Sequence, residues 1–274
     1  MKALRRLGFG LATITGLARR GFFIPYRYAE TVRERGYPAL EPVFAAAEPA
    51  MREVLAAVAS LRADLAAIGA DGGAARWNQS WFPPLDAAAA YAIVRSRAPR
   101  RIVEIGSGHS TRFMARAVAD GGLDTRILCI DPAPRASLAS LGVAHRPRVF
   151  GDADIPDIET LCPGDILFID SSHVAMPGTD VDRLFLDVLP RLAQGVLVHV
   201  HDILLPDAYP AEWAWRGYNE QTVVGALLLG GGWDMVFASH YAATRLKDDV
   251  SAGMPPEVRP PSGATETSLW LRKR

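Results

Sequence analysis

From residue 101 onward, short apolar runs alternate with amphipathic stretches. The runs "RIVEI" (101–105), "RILCID" (126–131), "HRPRVF" (145–150), "DILFID" (165–170), "GVLVHVHD" (195–202), "WDMVFAS" (233–239) and "TSLWLRK" (267–273) have strand length. Stretches near 110–120, 135–141, 155–161, 178–192 and 217–229 have helical spacing. Strands separated by helices require right-handed crossovers, so the pattern predicts an α/β fold with a doubly wound, seven-stranded, mostly parallel sheet. A proline-rich loop, "MPPEVRPPSG", precedes the last run and predicts that this strand returns antiparallel beside the sixth.

Before residue 100 the pattern is different. "LEPVFAAAEPAMREVLAAVASLRADLAAIGADGG" is rich in Ala and Leu at helical spacing and stops at Gly72 and Gly73. "RWNQSWFPPLDAAAAYAIVRSRAP" then supplies an aromatic connector and a short helix, with Trp77, Trp81 and Phe82 readable as a pocket wall or as packing. The expected organisation is a helical N-terminal extension or cap over 1–99 and a Rossmann-like catalytic domain over 100–274.

The first 29 residues carry basic side chains and no acid before Glu30, with a short apolar run between Arg6 and Arg19. That run is far below the roughly 20 residues that span a bilayer, and no small-x-small cleavage site follows it cleanly. It reads equally as a helix lying on a membrane surface, as a cap over the site, or as a packing helix in a homo-oligomer. Over the whole chain 30 basic residues balance 30 acidic ones, so no global field draws it to nucleic acid. The two cysteines, Cys129 and Cys162, have neither CxxC spacing nor metal-site partners, which suits a reducing, cytoplasmic setting.

Chemistry is expected at the carboxyl ends of the strands, where open parallel sheets hold ligands. After the first strand, Gly106 and Gly108 permit a tight turn into a helix whose free N–H groups face outward. A dinucleotide fingerprint would place a third glycine where Ser110 stands, which argues against a nicotinamide cofactor. Asp131 ends the second strand, where a carboxylate can accept from ribose hydroxyls, and Asp152 follows the third, where it can meet an adenine amino group. Glu104, inside the first strand, demands a buried partner.

"VEIGSGHST", "CIDPAP", "GDA" and "ILFIDSSH", in this order, resemble the class I S-adenosylmethionine-dependent methyltransferases, in the branch with cephalosporin-hydroxylase-like and macrolide-sugar O-methyltransferases. The resemblance covers residues 101 to about 240. It implies that Glu104, Gly106, Ser107 and Gly108 hold the methionine part of the cofactor, with Ser110 in the same loop, Asp131 on the ribose and Asp152 near the adenine.

The fourth and fifth strand ends bring Asp170 and His173, then His199, His201 and Asp202. Alternation puts His199 and His201 on one face of their strand. Asp170, His201 and Asp202 suit Mg²⁺ or Mn²⁺, or equally a metal-free hydrogen-bonded cluster, since His201 stands where related enzymes carry an acid. His173, with an ordinary imidazole pKa near 6.5, is the expected general base, with Asp170 beside it. The loop "ILLPDAYPAEWAWRGYNEQ" offers Tyr209, Trp213, Trp215 and Tyr218 as stacking surfaces for a small-molecule acceptor, and Asn219 and Glu220 as helix caps. The expected reaction is O-methylation of a small-molecule hydroxyl; the alternatives are a metal-dependent hydroxylase-like enzyme, a nicotinamide-dependent oxidoreductase and a non-catalytic binding protein.

Overall fold

Each of the seven apolar runs forms a strand in a computed structural model that describes residues 2–274: β1 (Arg101–Ile105), β2 (Arg126–Ile130), β3 (Ala144–Arg146), β4 (Ile166–Ile169), β5 (Leu197–Val200), β6 (Trp233–Ala238) and β7 (Leu269–Lys273). They make one sheet in the order β3-β2-β1-β4-β5-β7-β6. Strands β1 to β5 pair in parallel, and β7 runs antiparallel between β5 and β6. Strand order reverses between β1 and β4, which opens the crevice where such sheets take ligands.

All four residues of β4 and of β5 are buried, as expected of central strands covered on both faces. One covering element is the helix Pro84–Arg97, whose Ala87–Ala90 run is completely inaccessible. Its methyl side chains let it lie close to the helices Glu48–Ser60 and His109–Gly121. Below them, Phe82 packs edge-on to Phe168 and against Phe113, joining the connector to the core.

Two predicted helices differ from expectation. Residues 135–141 form bends and turns rather than a helix, with the Arg135 amide committed to the Ser107 carbonyl at 3.1 Å. The 178–192 stretch is broken into a helical turn (Asp180–Arg183), a π turn (Leu184–Val188) and a 3-10 turn (Leu189–Arg191) containing Pro190.

The chain forms two compact units, residues 1–35 and Gly36–Arg274. The first holds the helix Lys2–Ile14 followed by irregular chain through Gly16, Gly21 and Pro25 and one 3-10 turn, Ala29–Thr31. Everything described above belongs to the second. Among the described residues no helix is long and apolar enough to cross a membrane.

Candidate active site

The turn after β1 is built on backbone that only glycine adopts freely: φ is +79° at Gly106 and +151° at Gly108. A methyl group on Gly106 would overlap the Asp170 carbonyl oxygen, and one on Gly108 would come within 2.9 Å of the Arg135 side chain. Close approach therefore fixes both positions. Ser107 Oγ donates to Asp131 Oδ2 at 2.9 Å, and the Ala133 amide donates to Oδ1 at 2.7 Å. Asp131 thus sits directly beside the turn.

Glu104 lies beneath it, fully buried, accepting from Ser110 Oγ and Thr111 Oγ1 at 2.5 Å each and from the Cys129 thiol at 3.4 Å. Its partners are hydroxyls of the helix that follows the turn, so it ties that helix to β1. Burial pushes its carboxyl up to about 7, against the lowering effect of these bonds. A carboxyl whose folded pKa exceeds its unfolded value adds stability below pH about 4.5 and loses it as pH rises through 7, by about 3 kcal/mol. Glu104→Gln is therefore expected to flatten the fall in melting temperature between pH 5 and 8; an unchanged slope would refute this origin.

Asp152 lies at the surface in the segment after β3. Its side chain is 76% exposed and pairs with Arg183. Asp154 is the buried acid of that segment, held by Arg146 at 3.0 Å and by Arg148.

The ends of β4 and β5 do converge. His173, in the left-handed region at φ +59°, points Nε2 at Asp170 Oδ1 (3.2 Å) and Asp202 Oδ2 (3.5 Å), while its Nδ1 lies 2.9 Å from Glu220 Oε2. Nδ1 of His201 is 3.6 Å from both Asp170 Oδ1 and Asp202 Oδ1, and its Nε2 is 3.4 Å from Asp86 Oδ2. Burial alone would lower the His173 pKa, but Asp170, Glu220 and Asp202 outweigh it and raise the imidazole to about 10. Similarly, burial opposes charge on His201 and Asp170, and their mutual attraction prevails: His201 is held well above its ordinary value and Asp170 well below. These directions favour imidazolium at His173 and His201 and carboxylate at Asp170. Asp170, at 32% exposure, is the most solvent-accessible acid of the cluster.

Asp170, His201 and Asp202 are thus together, yet among the described residues no group of three His, Cys, Asp or Glu has a metal-holding arrangement. The His173 Nε2 faces Asp170 and Asp202 from one side of this group. His199 is on the same strand face, stacked 3.6 Å over Phe168 with Nε2 on Ser268 Oγ, and burial keeps it neutral. His109 is buried too, with Nδ1 unpartnered, and is pushed down to about 4 by burial and then by Arg112 and Arg76.

Two fully buried acids, Asp86 and Glu220, and the half-buried Glu266 join from distant segments. Glu220 is fully buried rather than a helix cap, and Asn219 instead accepts the Ala175 amide. Asp86, in the first turn of Pro84–Arg97, accepts the Thr267 and Ser268 amides at 3.0–3.1 Å and the Ser239 hydroxyl. Glu266, whose carboxyl burial raises to about 8, accepts the Leu85 and Asp86 amides. A sequence signal existed for Asp86: one acid inside the apolar run "PPLDAAAAYAIV" must find buried donors.

Over this cluster lies the aromatic loop. Arg216 places its guanidinium 3.8 Å from the Trp213 ring centroid and 5.3 Å from that of Tyr218, and reaches Asp202 Oδ2 at 3.5 Å. Tyr218 sits 4.6 Å from the His173 ring, and Tyr209 stacks with Trp213 at 6.0 Å.

Residues 103–203 match a family model described as a methyltransferase domain. Curated proteins give no match. Solved structures that resemble the chain include the SAH-bound Podospora anserina methyltransferase PaMTH1 (17% identity, 93% of this chain and 99% of that one, TM-score 0.43). Two others are the O-methyltransferase TomG from Streptomyces achromogenes with SAM (18%, 81% and 89%, 0.42) and CmcI with Mg and SAM (16%, 70% and 73%, 0.41). The matched stretch begins inside β1 and ends just past β5, taking in the glycine turn, Asp131 and the Asp170-to-Asp202 cluster. Over residues 103–203, on the seven-stranded sheet, the chain is similar to a methyltransferase domain.

Proposed function

We propose that the chain transfers the methyl group of S-adenosylmethionine to a hydroxyl oxygen of a small molecule. One observation carries this reading: the glycine turn and the acid–imidazole cluster share a seam. The Asp170 amide donates to the Ile105 carbonyl at 2.8 Å, and the Asp170 carbonyl packs on Gly106 so closely that no side chain fits between them. A group held on the turn would therefore lie next to the residues able to handle a hydroxyl proton.

The residues fit the cofactor. Gly106, Ser107 and Gly108 present backbone at the N-terminus of a 13-residue helix, and both Asp131 oxygens keep lone pairs for ribose hydroxyls. Glu104 and Ser110 brace this cradle from below. Asp152, paired with Arg183 at the surface, keeps its proposed place near the adenine. When bound, the sulfonium supplies an electrophilic methyl carbon. The protein's share is to orient the acceptor oxygen in line with it and to take the proton.

Asp170 meets the acceptor hydroxyl because it is the most open acid of the cluster; His173 lies behind it as the proton acceptor. With its pKa raised to about 10, His173 is a base only in its minor, neutral form at pH 7. The rate is therefore expected to climb with pH from neutrality toward about 10. If a divalent cation is bound, Asp170, His201 and Asp202 are the residues that would hold it, and it would acidify the acceptor hydroxyl. Tyr209, Trp213 and Tyr218 wall the acceptor side.

The test is transfer of a labelled methyl group from S-adenosylmethionine to small hydroxyl compounds, which a hydroxylase or an oxidoreductase would not perform. Asp131→Ala is expected to weaken cofactor binding by at least about tenfold in calorimetry, as loss of hydrogen bonds to a charged acceptor implies. Unchanged affinity would remove Asp131 from the ribose.

A further inference from the structure

Most of the exposed large hydrophobic side chains among the described residues lie before Gly36. In the helix Lys2–Ile14, the residues Leu4, Leu7, Leu11 and Ile14 recur at helical spacing and are 55–75% exposed. Leu17, Phe22, Phe23, Ile24, Tyr26 and Tyr28 follow, all exposed. Interleaved with them are six cations, Lys2, Arg5, Arg6, Arg19, Arg20 and Arg27, and no acid appears before Glu30. On the helix, Arg5 and Arg6 fall on the side opposite the leucine stripe, as the 3.6-residue period requires. Arg5 lies over the Phe9 ring at 5.1 Å, Arg19 over Phe22 at 5.2 Å and Arg27 over Tyr28 at 5.7 Å.

We propose that this segment is a docking surface for an anionic lipid bilayer. A helix of 13 residues is about 20 Å long, too short to span a membrane but suited to lying in its interface. There the leucine stripe enters the acyl boundary, the arginines reach phosphate and carboxylate headgroups, and the aromatic rings occupy headgroup depth. Charge selects this occupant over a second copy of the chain, because pairing two copies of the acid-free stretch before Glu30 would bring twelve cations together. It also selects an anionic surface over a zwitterionic one, since each Lys or Arg near an anionic surface adds attraction. The docking is independent of the methyl-transfer chemistry and would bring the enzyme to acceptors that partition into membranes.

The experiment is co-sedimentation of the full chain with vesicles of phosphatidylcholine alone and of phosphatidylcholine with phosphatidylserine, across a salt series. Two surface variants, Leu7→Glu/Leu11→Glu and Arg5→Glu/Arg6→Glu, are run in parallel, with melting temperature as the check on folding. Sedimentation is expected only with the anionic vesicles and to fall with salt. Each variant is expected to lose at least about tenfold in affinity with an unchanged melting temperature. The proposal is overturned by no binding to anionic vesicles, by equal binding to both compositions, or by binding that neither variant weakens. It is equally overturned by self-association without lipid that Leu7→Glu/Leu11→Glu abolishes, which would make the partner a second copy.

Discussion

Gly106→Ala is expected to abolish cofactor binding and to lower the melting temperature, an effect out of proportion to one methyl group. Two costs add at this position. A non-glycine residue at φ +79° carries roughly 1–3 kcal/mol of backbone strain. The new methyl would also collide with the Asp170 carbonyl, which is backbone in β4's exit and cannot swing away. Relief would require β1 and β4 to part at the seam that joins the turn to the acid–imidazole cluster. Gly122→Ala separates the two terms, because Gly122 has φ +57° with nothing near its would-be methyl. The control should show only the strain. If Gly106→Ala melts and binds cofactor like Gly122→Ala, the close approach has no consequence and the argument from the seam fails.

The second large effect concerns charge. Among the described residues His173 is the one side-chain partner of Glu220, whose other oxygen, Oε1, is already unpartnered in the interior. His173→Ala would leave Glu220 as an isolated buried carboxylate, whereas Asp170 keeps His201 and Asp202 keeps Arg216. Breaking a buried pair from one side costs about 3–5 kcal/mol. Burial already raises the Glu220 pKa, with His173 opposing; in the variant that opposition is gone and the carboxyl rises further. A raised carboxyl destabilises above its unfolded pKa and not below it, so His173→Ala should unfold most easily at neutral pH and recover in acid. Adding Glu220→Gln should restore part of the stability in urea titrations but none of the transfer rate. A double variant no more stable than the single one would mean that Glu220 is not where the energy lies.

The sheet was legible because fully buried parallel strands must be apolar throughout, and no helix in this chain imitates "ILFI" or "LVHV" bounded by Gly and Asp. Asp170, His173, His201 and Asp202 were legible for a related reason: polar groups that directly follow such runs emerge together at one sheet edge. What failed was local in one case and distant in the others. The 135–141 helix is absent, with the Arg135 amide committed to a tertiary bond to Ser107. Asp86, Glu220 and Glu266 come from segments widely separated in sequence, and no spacing rule announces that they meet. His173 was read with the pKa of a solvated imidazole; burial among Asp170, Asp202 and the unforeseen Glu220 raises it to about 10. Asp152 and Asp154 were indistinguishable by pattern, and only the reach of Arg146 and Arg148 decides which one is buried.

The order β3-β2-β1-β4-β5-β7-β6 leaves β3 and β6 at the rims. One rim is a strand of three mostly open residues, and the other is irregular between Met235 and Phe237. Short and bulged rims offer a poor template for further pairing, the form in which natural sheets resist growing edge to edge. Where copies of this chain meet, a shared sheet is therefore not the expected junction, and in concentrated solution the rims guard against fibrils rather than seeding them.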